Sequence, residues 1–96
     1  MQAAADSMEV ILAMANNGNP NSITDAGVGA LCIRTAVIGA FLNVKINCGD
    51  YDDKEFVKEI LSKGEKIVSK TCNLENSILE IVNKNMKQHE GNVKEL

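Results

Sequence analysis

The chain has 96 residues, 45% of them hydrophobic, and a formal net charge of −3. This length suits a single domain, residues 1–96, and excludes a two-domain protein. Basic residues are interspersed with acidic ones, which excludes the cationic surface typical of nucleic-acid binding. Aromatic residues make up 3% and tryptophan is absent, so we expect an aliphatic core, which suits closely packed helices.

The cysteines and the N-terminal segment indicate the compartment. Cys32, Cys48 and Cys72 are odd in number, far apart and without a CxxC pair. They favour reduced thiols in a cytoplasmic protein over a disulfide framework. The first ten residues carry acidic side chains and lack a basic n-region, so no signal peptide is expected. No metal-ligand spacing, phosphate-binding glycine loop or nucleophile elbow is present.

The first predicted helix covers about residues 6–16. Asp6 and Glu9 have the spacing of a capping box. The apolar residues recur at i, i+3, i+4 and i+7: Met8, Ile11, Leu12 and Ala15. Gly18 as a C′ residue and Pro20 as a helix breaker predict its end.

The second predicted helix covers about residues 22–45 and is apolar on nearly every side. Between residues 26 and 44 its strongly polar side chains are Arg34, Thr35 and Asn43. Such a helix is either buried centrally or spans a membrane. The stretch approaches the ~20 apolar residues of a span, but Arg34 lies mid-way and no aromatic belt or basic loop flanks it. We therefore expect a buried central helix and no membrane.

The third predicted helix covers about residues 52–88, opening with Asp52 and Glu55 as a second capping box. Its apolar seam alternates by threes and fours and is interrupted by Gly64 and Thr71. The seam residues are Val57, Ile60, Gly64, Ile67, Thr71, Leu74, Ile78 and Ile81. The tail from His89, the only histidine, is expected to fray. These patterns predict an all-α fold, a three-helix antiparallel bundle completed by dimerisation.

Asp25 has two interpretations. If Ser22 is the N-cap, Asp25 lies at N3 of a weak capping box and is favoured by the helix dipole. Alternatively, its carboxylate contacts a ligand. Gly27 and Gly29 each cost ~1 kcal/mol relative to alanine inside a helix. Two glycines there indicate that a neighbouring helix or a flat ligand packs closely.

Four further polar residues are candidates for either a structural role or a ligand contact. Arg34, alone on an apolar helix, forms either a structural ion pair or a ligand contact. Asn43 and Asn47 share one helical face, where they either satisfy terminal carbonyls or hydrogen-bond a polar heterocycle. Lys45 points elsewhere and can meet an anionic tail. From these residues alone no chemistry follows.

Residues 18–56 resemble the cyclodeaminase/cyclohydrolase family. The shared pattern is a Gly-Asn turn, Ser-x-x-Asp, a small-residue helix, Gly-Ala, and an Asn-Val-x-Ile-Asn ending. The matching positions are Gly18, Asn19, Asp25, Val28, Gly39, Ala40, Asn43, Val44, Ile46 and Asn47. The family includes the cyclodeaminase domain of formiminotransferase-cyclodeaminase and stand-alone bacterial methenyltetrahydrofolate cyclohydrolases.

The resemblance implies a helical homodimer with tetrahydrofolate derivatives as substrate and no metal. Cyclodeaminases close 5-formiminotetrahydrofolate to the 5,10-methenyl form and release ammonia, whereas cyclohydrolases interconvert that form and 10-formyltetrahydrofolate. By resemblance, Asp25 is the catalytic residue, for cation stabilisation or general base work, or it reads the pterin ring. Asn43 and Asn47 orient the folate or brace the helix end, and Lys45 or Arg34 meets its glutamate carboxylates.

The resemblance covers only the C-terminal half of the family domain. The alternative function is therefore a non-catalytic helical dimerisation module, which keeps the fold but not the chemistry.

Overall fold

Three helices make up the computed structural model, which describes residues 1–17 and 20–95 and, of their side chains, those of 1–17 and 22–87. They are α1 (Gln2–Asn16), α2 (Pro20–Cys48) and α3 (Lys54–Glu95). No strand occurs in the described ranges. The predicted all-α class and the number of helices are therefore confirmed.

The first helix begins earlier than predicted. Its N-terminal residue is Gln2, and Met1 at the N-cap makes no side-chain cap bond. Asp6 lies inside the helix, where it accepts a hydrogen bond from Gln2 Nε2 at 2.7 Å. The predicted Asp6–Glu9 capping box is wrong because the three alanines before Asp6 favour helix strongly. The predicted role of Gly18 lies outside the described residues.

The other two helix starts also differ from the predicted ones. Pro20 is the first residue of α2, a position that its fixed φ suits. At the start of α3, Asp53 Oδ1 accepts the backbone N–H of Phe56 at 3.1 Å. Asp53, rather than the predicted Asp52, is therefore the N-cap. The helix continues to Glu95, past residue 88 where fraying was predicted, while the His89 side chain lies outside the described ones.

The buried core lies where the three helices meet. Gly27, early in α2, faces Val82 late in α3, because a Cβ on Gly27 would lie 3.4 Å from Val82 Cγ1. Near the other end of α2, Phe41 packs on Gly64. The core residues are Met8, Ala15, Ile23, Ala26, Ala30, Ile78 and Val82.

Part of the predicted apolar seam of α3 is buried as expected, and part of it is displaced by one residue. Gly64, Thr71 and Ile78 are buried at intervals of seven residues, as predicted. The positions four residues after Thr71 and Ile78, Glu75 and Val82, are also buried. Leu74 and Ile81, which lie three residues after Thr71 and Ile78 and were predicted to belong to the seam, are only half-buried. The contact face of α3 therefore includes a glutamate.

The expectation that α2 is buried centrally is wrong for this chain. Only 22% of its most apolar window is buried, because α1 and α3 leave one side of α2 uncovered. The exposed large hydrophobic side chains of α2 are Val28, Leu31, Leu42 and Ile46. By length and composition alone, Ser22–Cys48 also meets the requirements of a membrane span.

The molecule is elongated. Its axes measure 65 × 18 × 15 Å and its radius of gyration is 17.3 Å, against about 12.5 Å for a compact domain of this length. Its accessible surface is 6773 Å², whereas a compact monomer of this mass exposes about 5400 Å². The uncovered side of α2 contributes to this excess.

Candidate functional site

Asp25 does not cap α2. The helix begins two residues before Ser22, so Asp25 falls after the first turn, which contains no acidic residue. The capping interpretation of Asp25 is therefore wrong. Its side chain is exposed, and it forms no ion pair or hydrogen bond with any other side chain that the structure describes. The described part of the fold shows no structural use of this carboxylate.

Asn43 lies on the same side of α2 as Asp25. The two residues are 18 positions apart, which is five full turns at ~3.6 residues per turn, or about 27 Å along the axis. Asn47 lies one turn further, about 33 Å from Asp25. Both asparagines are exposed. Within one chain, Asp25 and these amides cannot contact the same small group.

Arg34 lies on the other side of α2 and faces α3. Its Nε is 3.4 Å from Glu75 Oε1. Glu75 is only 6% exposed, while the Arg34 side chain is 46% exposed. Of the two interpretations of Arg34, the ion pair is the one observed, and the outer edge of the guanidinium still faces solvent. Arg34 and Asp25 lie on opposite sides of α2.

Glu75 and Thr71 are two buried polar residues that were not among the predicted site residues. Glu75 Oε2 and Thr71 Oγ1 are buried and have no hydrogen-bond partner among the described residues. The signal was present in the sequence, because Glu75 lies four residues after Thr71 and three before Ile78, at seam spacing. The predicted seam instead included Leu74, the apolar residue just before Glu75.

Lys45 is held away from the two asparagines. Its Nζ lies 4.6 Å from the centroid of the Phe41 ring, within the range of a cation–π contact. The prediction that Lys45 points away from Asn43 and Asn47 is consistent with this contact. Because Phe41 packs on Gly64 of α3, Lys45 lies near the inner side of α2.

A groove between α1 and α3, of about 230 Å³, lies away from these residues. Its lining residues are Gln2, Ala5, Asp6, Lys66, Ile67 and Lys70. None of the five predicted site residues lines it. Among the described residues, no group of three or more His, Cys, Asp or Glu side chains that could hold a metal ion occurs.

Comparison with known proteins identifies the family. A family model described as formiminotransferase-cyclodeaminase matches residues 1–66. This chain belongs to that family. The match covers α1, α2 and the first part of α3, and therefore Asp25, Arg34, Asn43, Lys45 and Asn47.

A methenyltetrahydrofolate cyclohydrolase of Methylorubrum extorquens is 36% identical over 69 residues. The aligned region covers 72% of this chain but 33% of that protein. The chain thus spans about a third of the length of this curated relative. No solved structure matches the chain.

Proposed function

We propose that this protein acts in folate-dependent one-carbon metabolism, as a methenyltetrahydrofolate cyclohydrolase or a formiminotetrahydrofolate cyclodeaminase. Family membership and the name of the M. extorquens relative support the substrate class. The structural observation that best supports the proposal is the environment of Asp25. Asp25 is an exposed carboxylate outside the first turn of a mostly apolar helix, and no described contact accounts for it.

The chemistry of the bridge gives that carboxylate a role. The 5,10-methenyl group is an amidinium-like cation, so an ionised Asp25 beside it stabilises the cation and the transition states that lead to it. In the hydrolytic direction, water attacks the bridge carbon and loses a proton, which Asp25 accepts as general base. The resulting hydroxyl group then loses its proton to form the carbonyl, while N5 gains a proton and its bond to that carbon breaks.

The cyclodeaminase reaction uses the same group. N10 attacks the formimino carbon, loses its proton, and ammonia leaves after the amine nitrogen is protonated. A carboxylate that accepts the N10 proton and faces the developing cation assists both steps. The two activities therefore share one catalytic residue.

We place the folate on the uncovered side of α2, with the protein in the cytoplasm as a homodimer. Asn43 and Asn47 would orient the folate there. Lys45 and the outer edge of Arg34 are the cations available for its glutamate carboxylates. The facing pairs Gly27–Val82 and Phe41–Gly64 support the antiparallel packing of α2 on α3.

A non-catalytic dimerisation module is the second candidate. The observation that favours it is the spread of the predicted site, since Asp25 and Asn47 are about 33 Å apart along one helix. No cleft in the described part of the chain gathers the five residues. Such a module would bind neither folate nor its analogues.

The test follows 5,10-methenyltetrahydrofolate by the near-ultraviolet absorbance of its bridge. We expect turnover by the wild type and a loss of about 100-fold or more in Asp25→Asn, because a positioned base contributes roughly 10²–10⁴. Asp6→Asn, an exposed aspartate on α1, is the matched control and should retain activity. A wild type that is helical but neither binds nor converts the compound would favour the dimerisation module.

A further inference from the structure

Three side-chain contacts show how α3 packs on α2. Their members in α2 are seven residues apart, which is close to two helical turns, so the contacts follow one line along the interface. The middle contact joins two charged residues, and those on either side join apolar ones. From the start of α2 the pairs are Gly27–Val82, Arg34–Glu75 and Phe41–Gly64.

The charged pair is buried on the α3 side. Arg34 Nε lies 3.4 Å from Glu75 Oε1, and the Glu75 side chain is only 8% exposed. Its second oxygen, Oε2, is also buried and has no hydrogen-bond partner among the described residues. Removing the counter-ion of a buried carboxylate is strongly destabilising. Glu75 therefore depends on lying across from Arg34.

The apolar residues of the interface specify its axial register less strictly, that is, which residues of α3 lie across from which residues of α2. The buried positions Gly64, Thr71 and Ile78 of α3 recur every seven residues. A shift of α3 by seven residues thus brings the same face back onto α2. The buried residues of α2 that receive this face are small or aliphatic: Ile23, Ala26, Ala30 and Val37.

A shift of seven residues in either direction would separate the two charges. Arg34 would then lie across from Val82 or from Val68. Glu75 would lie across from Phe41 in the first case and from Gly27 in the second. Each shifted arrangement leaves the buried carboxylate among apolar groups without a counter-ion, and the desolvation penalty applies to those arrangements alone.

The contact of Phe41 with Gly64 favours the observed register by shape. A Cβ on Gly64 would lie 2.6 Å from Phe41 Cδ1, so the ring occupies the space that the glycine leaves. An aromatic side chain can change rotamer to suit a new neighbour, whereas a buried charge cannot be compensated by rotation alone. The shape contact and the charged pair are therefore separable by experiment.

Glu75 lies beyond residues 1–66, the part of the chain that the family model matches, whereas Arg34 lies within it. We propose that the Arg34–Glu75 pair determines the axial register of α3 on α2. Buried polar and ionic groups fix the alignment of helices in some coiled coils, at a cost in stability. The pair in this chain excludes the arrangements shifted by seven residues.

The half-buried thiol of Cys72 allows the register to be measured. Cys72 lies three residues before Glu75, and Ile38, also half-buried, lies four residues after Arg34. Because α2 and α3 are antiparallel, these two positions are neighbours in the observed register. In a Cys32→Ser, Cys48→Ser background, Ile38→Cys therefore reports that register.

Two further variants report the shifted registers. Leu31→Cys and Lys45→Cys place the second thiol seven residues before and seven residues after position 38. Brief oxidation followed by peptide mass spectrometry gives the rate of the intrachain disulfide with Cys72 in each case. With the charged pair intact, Ile38→Cys should react at least about tenfold faster than either, because both shifts bury an unpaired charge.

Removing both charges is the decisive change. In Arg34→Met, Glu75→Met the three rates should agree within about threefold, because no unpaired charge opposes the shifts. The matched control is the exchanged pair Arg34→Glu, Glu75→Arg, which should again favour Ile38→Cys. Glu75→Gln, which nearly keeps the side-chain shape, should narrow the difference in rate. Circular dichroism on the same samples checks that the helices are retained.

Two results would overturn the proposal. The first is a preference for Ile38→Cys that is as strong in Glu75→Gln and in the methionine variant as in the chain with the charged pair, and it would assign the register to Phe41 and Gly64. The second is equal rates in all three reporters while the charged pair is intact. Neither result depends on turnover or on the proposed function.

Discussion

The two sides of α2 carry similar small and aliphatic residues but have different surroundings. On the inner side, Gly64 of α3 leaves room for the Phe41 ring, and Gly27 packs against Val82. On the outer side, Gly39 has nothing within 4 Å, and large aliphatic side chains face solvent. The role of a glycine in a helix therefore depends on what lies across from it, which local sequence does not reveal.

The largest expected effect is on the inner side, for Gly64→Ala. The new methyl group would lie 2.6 Å from Phe41 Cδ1 and 3.2 Å from Cζ, so the ring must shift within a packed interface. We expect the free energy of unfolding to fall by about 2–3 kcal/mol, as for other overpacked cores. Urea unfolding followed by circular dichroism measures it. An unchanged midpoint would show that Phe41 does not pack on α3.

The second largest effect on stability is expected for the Arg34–Glu75 ion pair on the inner side of α2. In Arg34→Met, Glu75 would remain buried and neither of its carboxylate oxygens would have a partner. In the wild type, the Arg34 side chain is partly exposed. We expect a loss of about 1–2 kcal/mol, less than for a fully buried pair because solvent screens the guanidinium.

The double variant Arg34→Met, Glu75→Met provides the control for that pair. It should regain most of the lost stability, because no buried charge remains. Additive losses in the double-mutant cycle would mean that the two side chains do not interact.

The matched change on the outer side is Gly39→Ala. A methyl group here meets nothing in its own chain, so the free energy of unfolding of the isolated chain should rise by about 0.5–1 kcal/mol. Urea unfolding of the variant and the wild type, followed by circular dichroism, measures the difference. A fall in stability would mean that another part of the chain packs on Gly39.

The smallest effect on stability is expected for Asp25→Asn. The carboxylate is exposed and lies past the first turn, so the free energy of unfolding should change by less than about 0.5 kcal/mol. The urea midpoint of this variant, compared with that of Asp53→Ala, checks the assignment. Removing the Asp53 cap should cost about 1 kcal/mol, and a similar loss in Asp25→Asn would restore the capping interpretation.

Much of the fold was predictable because it follows from local periodicity. The helix at Met8–Ala15 and the recurrence of Gly64, Thr71 and Ile78 follow from spacings of three, four and seven residues. Helix starts were less predictable, because several residues near each start can cap or begin a helix. Pro20 looked like a terminator and instead begins α2, while Asp53 caps α3 in place of its neighbour Asp52.

The residues of the candidate site stay predictions from the family resemblance, and their arrangement was not predictable from the sequence. The identity of Asp25, Asn43 and Asn47 followed from family resemblance, whereas their separation along one continuous helix needed the helix bounds. The Arg34–Glu75 pair was not foreseen, because it joins positions 41 residues apart and depends on how α2 and α3 pack. Contacts of that kind leave no periodic signal.

We propose that Asp25 serves chemistry and not the fold. The most direct measurement compares wild type and Asp25→Asn for turnover of 5,10-methenyltetrahydrofolate, at the bridge absorbance, with urea midpoints taken on the same samples. Equal midpoints with turnover lost by about 100-fold or more would agree with a positioned carboxylate. A variant that is less stable, and whose turnover equals that of the wild type, would show that Asp25 serves the fold instead.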